Sequence, residues 1–236
     1  AVVIATGAMN PAHLGHAHVL IQARERLERE GYGVVGAWLS PSHDGYVQPK
    51  AKAAKTWALT ADFRLEVARR TVAGDRLAQV ASWEATRAGK WPDCPDVVKA
   101  LQDNLGRQPE GKQLRGRRNH VQVFLACGTD HAQESGLYKG LRAEQLRGVV
   151  VVPRAGERPQ REKPSELVFV AEPVAGAAPL SSTKVRSALR RGDEDLLGAA
   201  LAPAAAALLL RPSAEQQAEF QDDYEKLRVA GGADEP

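Results

Sequence analysis

Two histidines three residues apart, His13 and His16, stand in the stretch Thr6-Gly7-Ala8-Met9-Asn10-Pro11-Ala12-His13-Leu14-Gly15-His16. The apolar run Val2 to Ala5 precedes it, and a helical pattern opening at Leu14 follows. At that spacing on a helix the two imidazoles face one way. Gly7 lets the backbone turn sharply after a first strand, and the start of the next helix offers unpaired N–H groups and a positive dipole end to an anion. The chemistry this suits is the handling of phosphate. The plainer alternative, two histidines that cap or line the first helix, leaves the H-x-G-H string at a strand-to-helix junction without a reason.

A second group of the same character lies far along the chain. Leu180-Ser181-Ser182-Thr183-Lys184-Val185-Arg186 puts hydroxyls at the start of a helix expected to run to Arg191 and to stop at Gly192. Its hydroxyls and amides, with the cations Lys184 and Arg186, would converge on an anion. A Ser/Thr cap beside a solvated basic face would leave the same trace, so this segment alone decides nothing.

The elements that must carry these groups alternate strand and helix, which predicts an α/β fold: a Rossmann-like parallel sheet with helices on both faces. Strands are expected at Val2 to Thr6, Val34 to Leu39, Leu77 to Ala81, Val121 to Ala126, Val149 to Val152 and Leu167 to Ala171. The last runs are almost wholly apolar, as in strands covered on both faces. Helices are expected from about Leu14 to Glu30, from Ala61 to Val72, and from Pro92 and Pro95 through Val98 and Leu101. The Pro- and Lys-rich stretch before Ala61 reads as loop. The Ala-rich run Leu197 to Leu210, interrupted by Pro203, reads as packed helix.

These elements form one domain over residues 1–212, with a tail over 213–236 expected to hold a short helix and then disorder. Asn104 to His120 carries five basic residues, one acid and three glycines, which predicts a mobile basic surface loop rather than core. With 43% hydrophobic and 26% charged residues the chain has the balance of a globular domain. A net charge of +3 is too small to imply a nucleic-acid partner, and no apolar stretch reaches the ~20 residues of a membrane span. Cys94 and Cys127 are too few for a disulfide framework and lie in no C-x-x-C pair, so the expectation is a reducing, intracellular compartment without structural zinc. Cys127, inside an apolar run, reads as a small core residue.

Five segments in order resemble the nucleotidyltransferases with an H-x-G-H signature, and among them the eukaryotic-type nicotinamide/nicotinate mononucleotide adenylyltransferases. They are Gly7-Ala8-Met9-Asn10-Pro11 with His16, Leu39-Ser40-Pro41, Trp83-Glu84 with Trp91, Gly128-Thr129-Asp130, and Ser181-Ser182-Thr183 with Arg186. The resemblance spans about residues 1 to 210. It implies transfer of the adenylyl group of ATP to nicotinamide or nicotinate mononucleotide, with release of pyrophosphate, and it implies ATP and a pyridine mononucleotide as the partners.

By that resemblance His16 and Arg186 are catalytic. Gly7, His13, His16, Ser182, Thr183, Lys184 and Arg186 bind ATP, and Mg²⁺ bridges its phosphates while held mainly by phosphate and water. Ala8, Met9, Asn10, Lys50, Trp91, Gly128, Asp130 and Tyr138 meet the mononucleotide, with Trp91 and Tyr138 as aromatic walls for the pyridinium and Gly128 and Asp130 near the ribose. Trp83 is assigned to packing. The family also assembles, so a homo-oligomer or larger assembly is compatible. The chain departs from the pattern at Ala8, where the family has Ser, at Met9, where it has Phe, and after Pro41, where Lys50 or Lys52 must serve for a lysine expected earlier. Two rival readings follow: a sibling transferase for another small substrate, and a non-catalytic subunit that keeps the fold.

Overall fold

The computed structural model describes residues 1–107, 121–141, 147–154, 157, 160–162, 167–173 and 180–231. The strands are β1 (Val2–Gly7), β2 (Gly36–Pro41), β3 (Ala78–Val80), β4 (Val123–Gly128), β5 (Arg147–Val152) and β6 (Val168–Val170). They form one sheet in the order β3-β2-β1-β4-β5-β6. β1 pairs with β4 in parallel, Ile4 opposite Leu125, and β4, β5 and β6 continue in parallel. A sheet in this order, wound by right-handed crossovers, carries helices on both faces, and its order reverses between β1 and β4. Gly7 ends β1 and Gly128 ends β4.

The helices are α1 (Leu14–Arg29), α2 (Asp44–Ala53), α3 (Ala61–Val72), α4 (Trp83–Thr86), α5 (Cys94–Arg107), α6 (Thr129–Glu134), α7 (Ser182–Arg191), α8 (Glu194–Ala200), α9 (Pro203–Leu210), α10 (Ala214–Glu219) and α11 (Gln221–Gly231). Thr60 caps α3 by accepting the Phe63 N–H, and Pro203 opens α9 at the position where a missing N–H costs nothing. Among the described residues no helix is long and apolar enough to cross a membrane.

The chain divides into two compact units. The first holds Ala1–Thr6, His18–Leu39 and Pro92–Pro179. Its core is a continuous apolar cluster of Val2, Ile4, Val97, Val98, Leu125, Cys127, Val149 and Val151 with their neighbours. Burial pushes the Cys127 thiol up to about 12, so it behaves as a small hydrophobe, as expected. The second unit holds Gly7–Ala17, Ser40–Trp91 and Leu180–Pro236. Within it Phe63 packs against Phe220 and Tyr224, with ring centroids 4.9 and 5.2 Å away.

Two expectations change. The stretch after Pro41 is the helix α2 despite Pro49, because His43 caps its start and Val47 and Ala51 bury its inner face. Among the described residues the stretch from Ser213 holds two helices rather than one short one: α10 and α11 run to Gly231, with Asp223 and Tyr224 buried. Residues 232–236 lie outside the described residues, as do residues 108–120 of the basic segment, whose first residues continue α5 to Arg107.

Within the first unit, Gly148 on β5 sits so close to its neighbours that a β-carbon there would stand 2.4 Å from the Phe124 ring and 2.7 Å from the Leu167 carbonyl oxygen. Gly148→Ala is expected to destabilise the protein by about 1–3 kcal/mol, the usual cost of overpacking, in a urea or thermal unfolding experiment.

Candidate active site

The loop that follows β1 is bound through its carbonyls within the second unit. Gly7 C=O accepts the Ser42 N–H at 2.9 Å, Ala8 C=O accepts Arg64 Nη1 at 2.9 Å, Asn10 C=O accepts Arg186 Nη1 at 2.8 Å, and Pro11 C=O accepts Ser182 Oγ at 2.9 Å. These bonds hold Met9 at φ 46°, a left-handed conformation that an L-residue adopts only when its surroundings over-determine it.

The two histidines then fold onto each other. The His13 N–H donates to His16 Nδ1 at 3.1 Å, the Gly15 N–H donates to His13 Nδ1 at 3.1 Å, and the ring centroids are 3.9 Å apart. A neutral ring that accepts at Nδ1 carries its proton on Nε2. Burial pushes the His16 imidazole down to about 4, against a smaller opposing hydrogen bond with the His13 backbone. At neutral pH His16 is therefore an uncharged N–H donor. Gly15 makes the close approach possible: a β-carbon at that position would stand 2.8 Å from the His13 ring.

Helix α7 starts at the same loop. Ser181 caps it by accepting the Lys184 N–H at 3.2 Å, and Gly192 ends it in the left-handed conformation at φ 63°. Thr183 and Lys184 are exposed on the first turn. Arg186 is half-buried and donates Nε to Thr56 Oγ1 at 3.2 Å, Nη1 to the Asn10 carbonyl, and Nη2 to Thr183 Oγ1 at 3.1 Å. Burial, with Arg190 adding repulsion, lowers its guanidinium from the ordinary value. The side chain read from sequence as a phosphate ligand thus also braces the loop.

Arg64 is the group the sequence reading missed. It is fully buried on α3 and donates Nε to the Leu59 carbonyl at 3.2 Å, Nη1 to the Ala8 carbonyl, and Nη2 to the Ser42 carbonyl and to Asp44 Oδ1, each at 2.7 Å. Burial lowers its guanidinium, and Asp44 opposes that. Nearby, Ser40 Oγ donates to Glu84 Oε2 at 2.7 Å, so the Leu-Ser-Pro and Trp-Glu segments meet. Burial raises the Glu84 carboxyl above the usual range, with the Ser40 and Ser42 bonds opposing. Nothing in a helix-spaced Arg among apolar residues separates a buried guanidinium from a solvated one.

Several residues assigned to the mononucleotide have other duties. Asn10 is 4% exposed and spends its amide on the backbone, donating Nδ2 to the Trp57 carbonyl at 2.8 Å and accepting the Leu59 N–H at 2.9 Å. Met9 is buried in the core. Tyr138, expected as the second aromatic wall, is 3% exposed inside the apolar cluster of the first unit. The turn Leu137–Lys139 carries it inward between Gly136 and Gly140, both at positive φ. In the same unit Gly128 ends β4 and caps α6, and the exposed Asp130 pairs with Arg154 at 2.7 Å.

In the second unit Trp91 is 40% exposed and lies beside Tyr46, centroids 5.6 Å apart. Lys50, exposed on α2, reaches Tyr46 with Nζ 3.3 Å from the hydroxyl and 5.3 Å from the ring centroid, and Lys90 lies over Trp91 at 5.8 Å. Tyr46 was overlooked because a single Tyr in a stretch read as loop carries no pattern. Trp83, assigned to packing, is 42% exposed under Arg87.

A histidine-bearing loop after the first strand of a 3-2-1-4-5-6 sheet, facing a hydroxyl-capped helix, defines a nucleotidyltransferase-type site. The chain belongs to the cytidylyltransferase-like family, whose model matches residues 4–188. It is similar to the nicotinamide/nicotinic acid mononucleotide adenylyltransferase of Oryza sativa subsp. japonica, 28% identical over 130 residues that cover 55% of this chain and 47% of that protein. It is also similar to the protein of the same description from Arabidopsis thaliana, 28% identical over 131 residues, 55% of this chain and 49% of that one. The chain spans about half the length of the curated relatives it matches.

Arg64→Met keeps the stem and removes the guanidinium, which leaves three carbonyls without its N–H donors and Asp44 with the Ala61 N–H but no cationic partner. The expected loss is about 3 kcal/mol by urea unfolding, from three carbonyls that lose a charged donor and a partly exposed Asp44 that loses its partner; a loss below about 1 kcal/mol would show that the loop does not depend on it.

Proposed function

We propose that this chain transfers the adenylyl group of ATP to nicotinamide or nicotinate mononucleotide, giving NAD or its acid form and pyrophosphate. The observation that carries the reading is the joining of the histidine loop to the start of α7, through Ser182 Oγ on the Pro11 carbonyl at 2.9 Å and Arg186 Nη1 on the Asn10 carbonyl at 2.8 Å. The two phosphate-handling groups of the sequence, 171 residues apart, thereby share one place.

A mononucleotide phosphate is already an anionic nucleophile at neutral pH, so the reaction needs alignment and charge stabilisation rather than proton removal. One of its oxygens bonds to the α-phosphorus of ATP as the bond from that phosphorus to the bridging oxygen breaks, and the leaving pyrophosphate keeps the electron pair. His16, neutral and protonated at Nε2, donates to an α-phosphate oxygen, and His13 supports the same chain of phosphates. The first turn of α7 holds the β and γ oxygens with Thr183, Ser182, Lys184 and Arg186. Mg²⁺ entering with ATP would supply neutralisation of phosphate charge and would be held mainly by phosphate and water; among the described residues no group of three or more His, Cys, Asp or Glu side chains could hold it.

On the acceptor side Trp91, with Tyr46 beside it, offers an aromatic face to a cationic pyridinium, and Lys50 offers a cation to its phosphate. In the first unit, Gly128 and Asp130 at the carboxyl end of β4 suit ribose hydroxyls. Burial of Tyr138 and the missing hydroxyl at Ala8 favour a second reading, a sibling transferase with a different small phosphate acceptor. The reading is tested by coupled formation of NAD from nicotinamide mononucleotide and Mg-ATP, with the nicotinate analogue in parallel. Turnover is expected, and His16→Ala is expected to reduce it by about 100-fold or more while the unfolding midpoint is retained. Silence from both acceptors, with Mg-ATP still raising Tm, would favour the sibling; a near-normal rate in His16→Ala would remove that residue from the mechanism.

A further inference from the structure

The segment beyond Leu210 lies outside the residues matched by the family model and outside every motif of the sequence. It nevertheless ends on the two helices that bind the histidine loop. In α11, Asp223 is 2% exposed and brings both carboxylate oxygens to Thr60: Oδ1 accepts the Thr60 N–H at 2.8 Å and Oδ2 accepts the Thr60 hydroxyl at 2.5 Å, while Lys226 of the same helix pairs with Oδ1 at the longer distance of 3.3 Å. Thr60 is the cap of α3, and its carbonyl accepts the Arg64 N–H at 3.0 Å. Arg64 in turn holds the Ala8 and Ser42 carbonyls. An unbroken run of hydrogen bonds therefore leads from α11 to the loop. α11 also packs against α7, the helix of Ser182 and Arg186.

Contacts other than the carboxylate also dock α11. Tyr224 already packs edge-on to Phe63 and donates its hydroxyl to the Leu208 carbonyl at 2.8 Å, and Phe220 covers the same ring. A buried carboxylate is costly unless its geometry is used. Here it is used on the first turn of α3, one turn before Arg64.

We propose that the C-terminal helix is a positioning brace for the active loop, with Asp223 as the positioning residue that acts through Thr60 and Arg64. The kinetic part of this claim rests on the adenylyl-transfer reading; the structural part does not.

The test compares the wild-type chain with Asp223→Ala, with Thr60→Val, which removes the hydroxyl that both caps α3 and donates to Asp223, and with Gly148→Ala, which crowds Phe124 and Leu167 in the first unit. Steady-state kinetics for Mg-ATP and amide hydrogen exchange of peptides covering residues 7–16 and 123–128 are measured on each. Asp223→Ala is expected to lower kcat/KM for ATP about tenfold, mainly in kcat, and to speed exchange over residues 7–16 while residues 123–128 stay protected. Thr60→Val is expected to give the same pattern at smaller amplitude and carries the comparison if Asp223→Ala does not fold. Gly148→Ala is expected to lower Tm and change neither the kinetics nor the exchange of the loop. Lower Tm with unchanged kcat/KM and unchanged exchange over residues 7–16 in Asp223→Ala and Thr60→Val would overturn the brace. A wild type without turnover would count against the adenylyl-transfer reading, and the exchange data would still decide the brace.

Discussion

One guanidinium, fully buried at position 64, sets the shape of the loop on which the chemistry depends. Removing a charge from water costs several kcal/mol, and that cost is met only where geometry supplies a partner for the fork and its donors. Asp44 supplies the charge, and the carbonyls of Leu59, Ala8 and Ser42 supply the remaining acceptors. These acceptors come from segments far apart in sequence, so a single side chain fixes the loop, the end of β2 and the entry to α3 together. A Lys could match the charge but not the planar fork.

The short motifs gain a physical meaning in this setting, because several of them bond to one another rather than to a ligand. Ser40 of one meets Glu84 of another, and Arg186 and Ser182 of a third hold the carbonyls of Asn10 and Pro11 in the first. Among the groups read as phosphate-handling, the donors are a neutral imidazole and the hydroxyls and amides at the start of α7, where Lys184 adds positive charge. Such a set can stabilise charge as it spreads over phosphate oxygens, and it contains no base held ready for a proton. Adenylyl transfer to a phosphate asks for that and no more.

The sheet and its main helices were legible because buried parallel strands are apolar runs and α3 has both a cap and a periodic face, so Ala61–Val72 was located to the residue. The histidine loop was legible from glycine, proline and imidazole spacing. The rest was hidden for identifiable reasons. Pro49 signalled loop where capping and burial sustain a helix. Asp223 gave the tail a polar appearance although its carboxylate is buried against Thr60 and paired with Lys226. Asn10 looked like a ligand contact because residue type does not reveal that both ends of an amide are already used by the backbone. Tyr138, read by resemblance as an aromatic wall, turns into the core between two glycines at positive φ. Burial of single polar or aromatic groups is a tertiary property, and a local pattern does not carry it.

The central claim is that the loop presents His16 to the α-phosphate as a neutral Nε2–H donor, and imidazole nitrogen–proton NMR during titration with Mg-ATP tests it most directly. In the free protein His16 is expected as the Nε2–H tautomer, staying neutral as pH falls until about 4 because burial lowers its pKa. On saturation with Mg-ATP, its Nε2 proton should shift downfield and exchange more slowly, with Nδ1 still unprotonated. A His16 signal that does not move while Mg-ATP raises Tm, or a ring that takes up a second proton near neutral pH, would contradict the account.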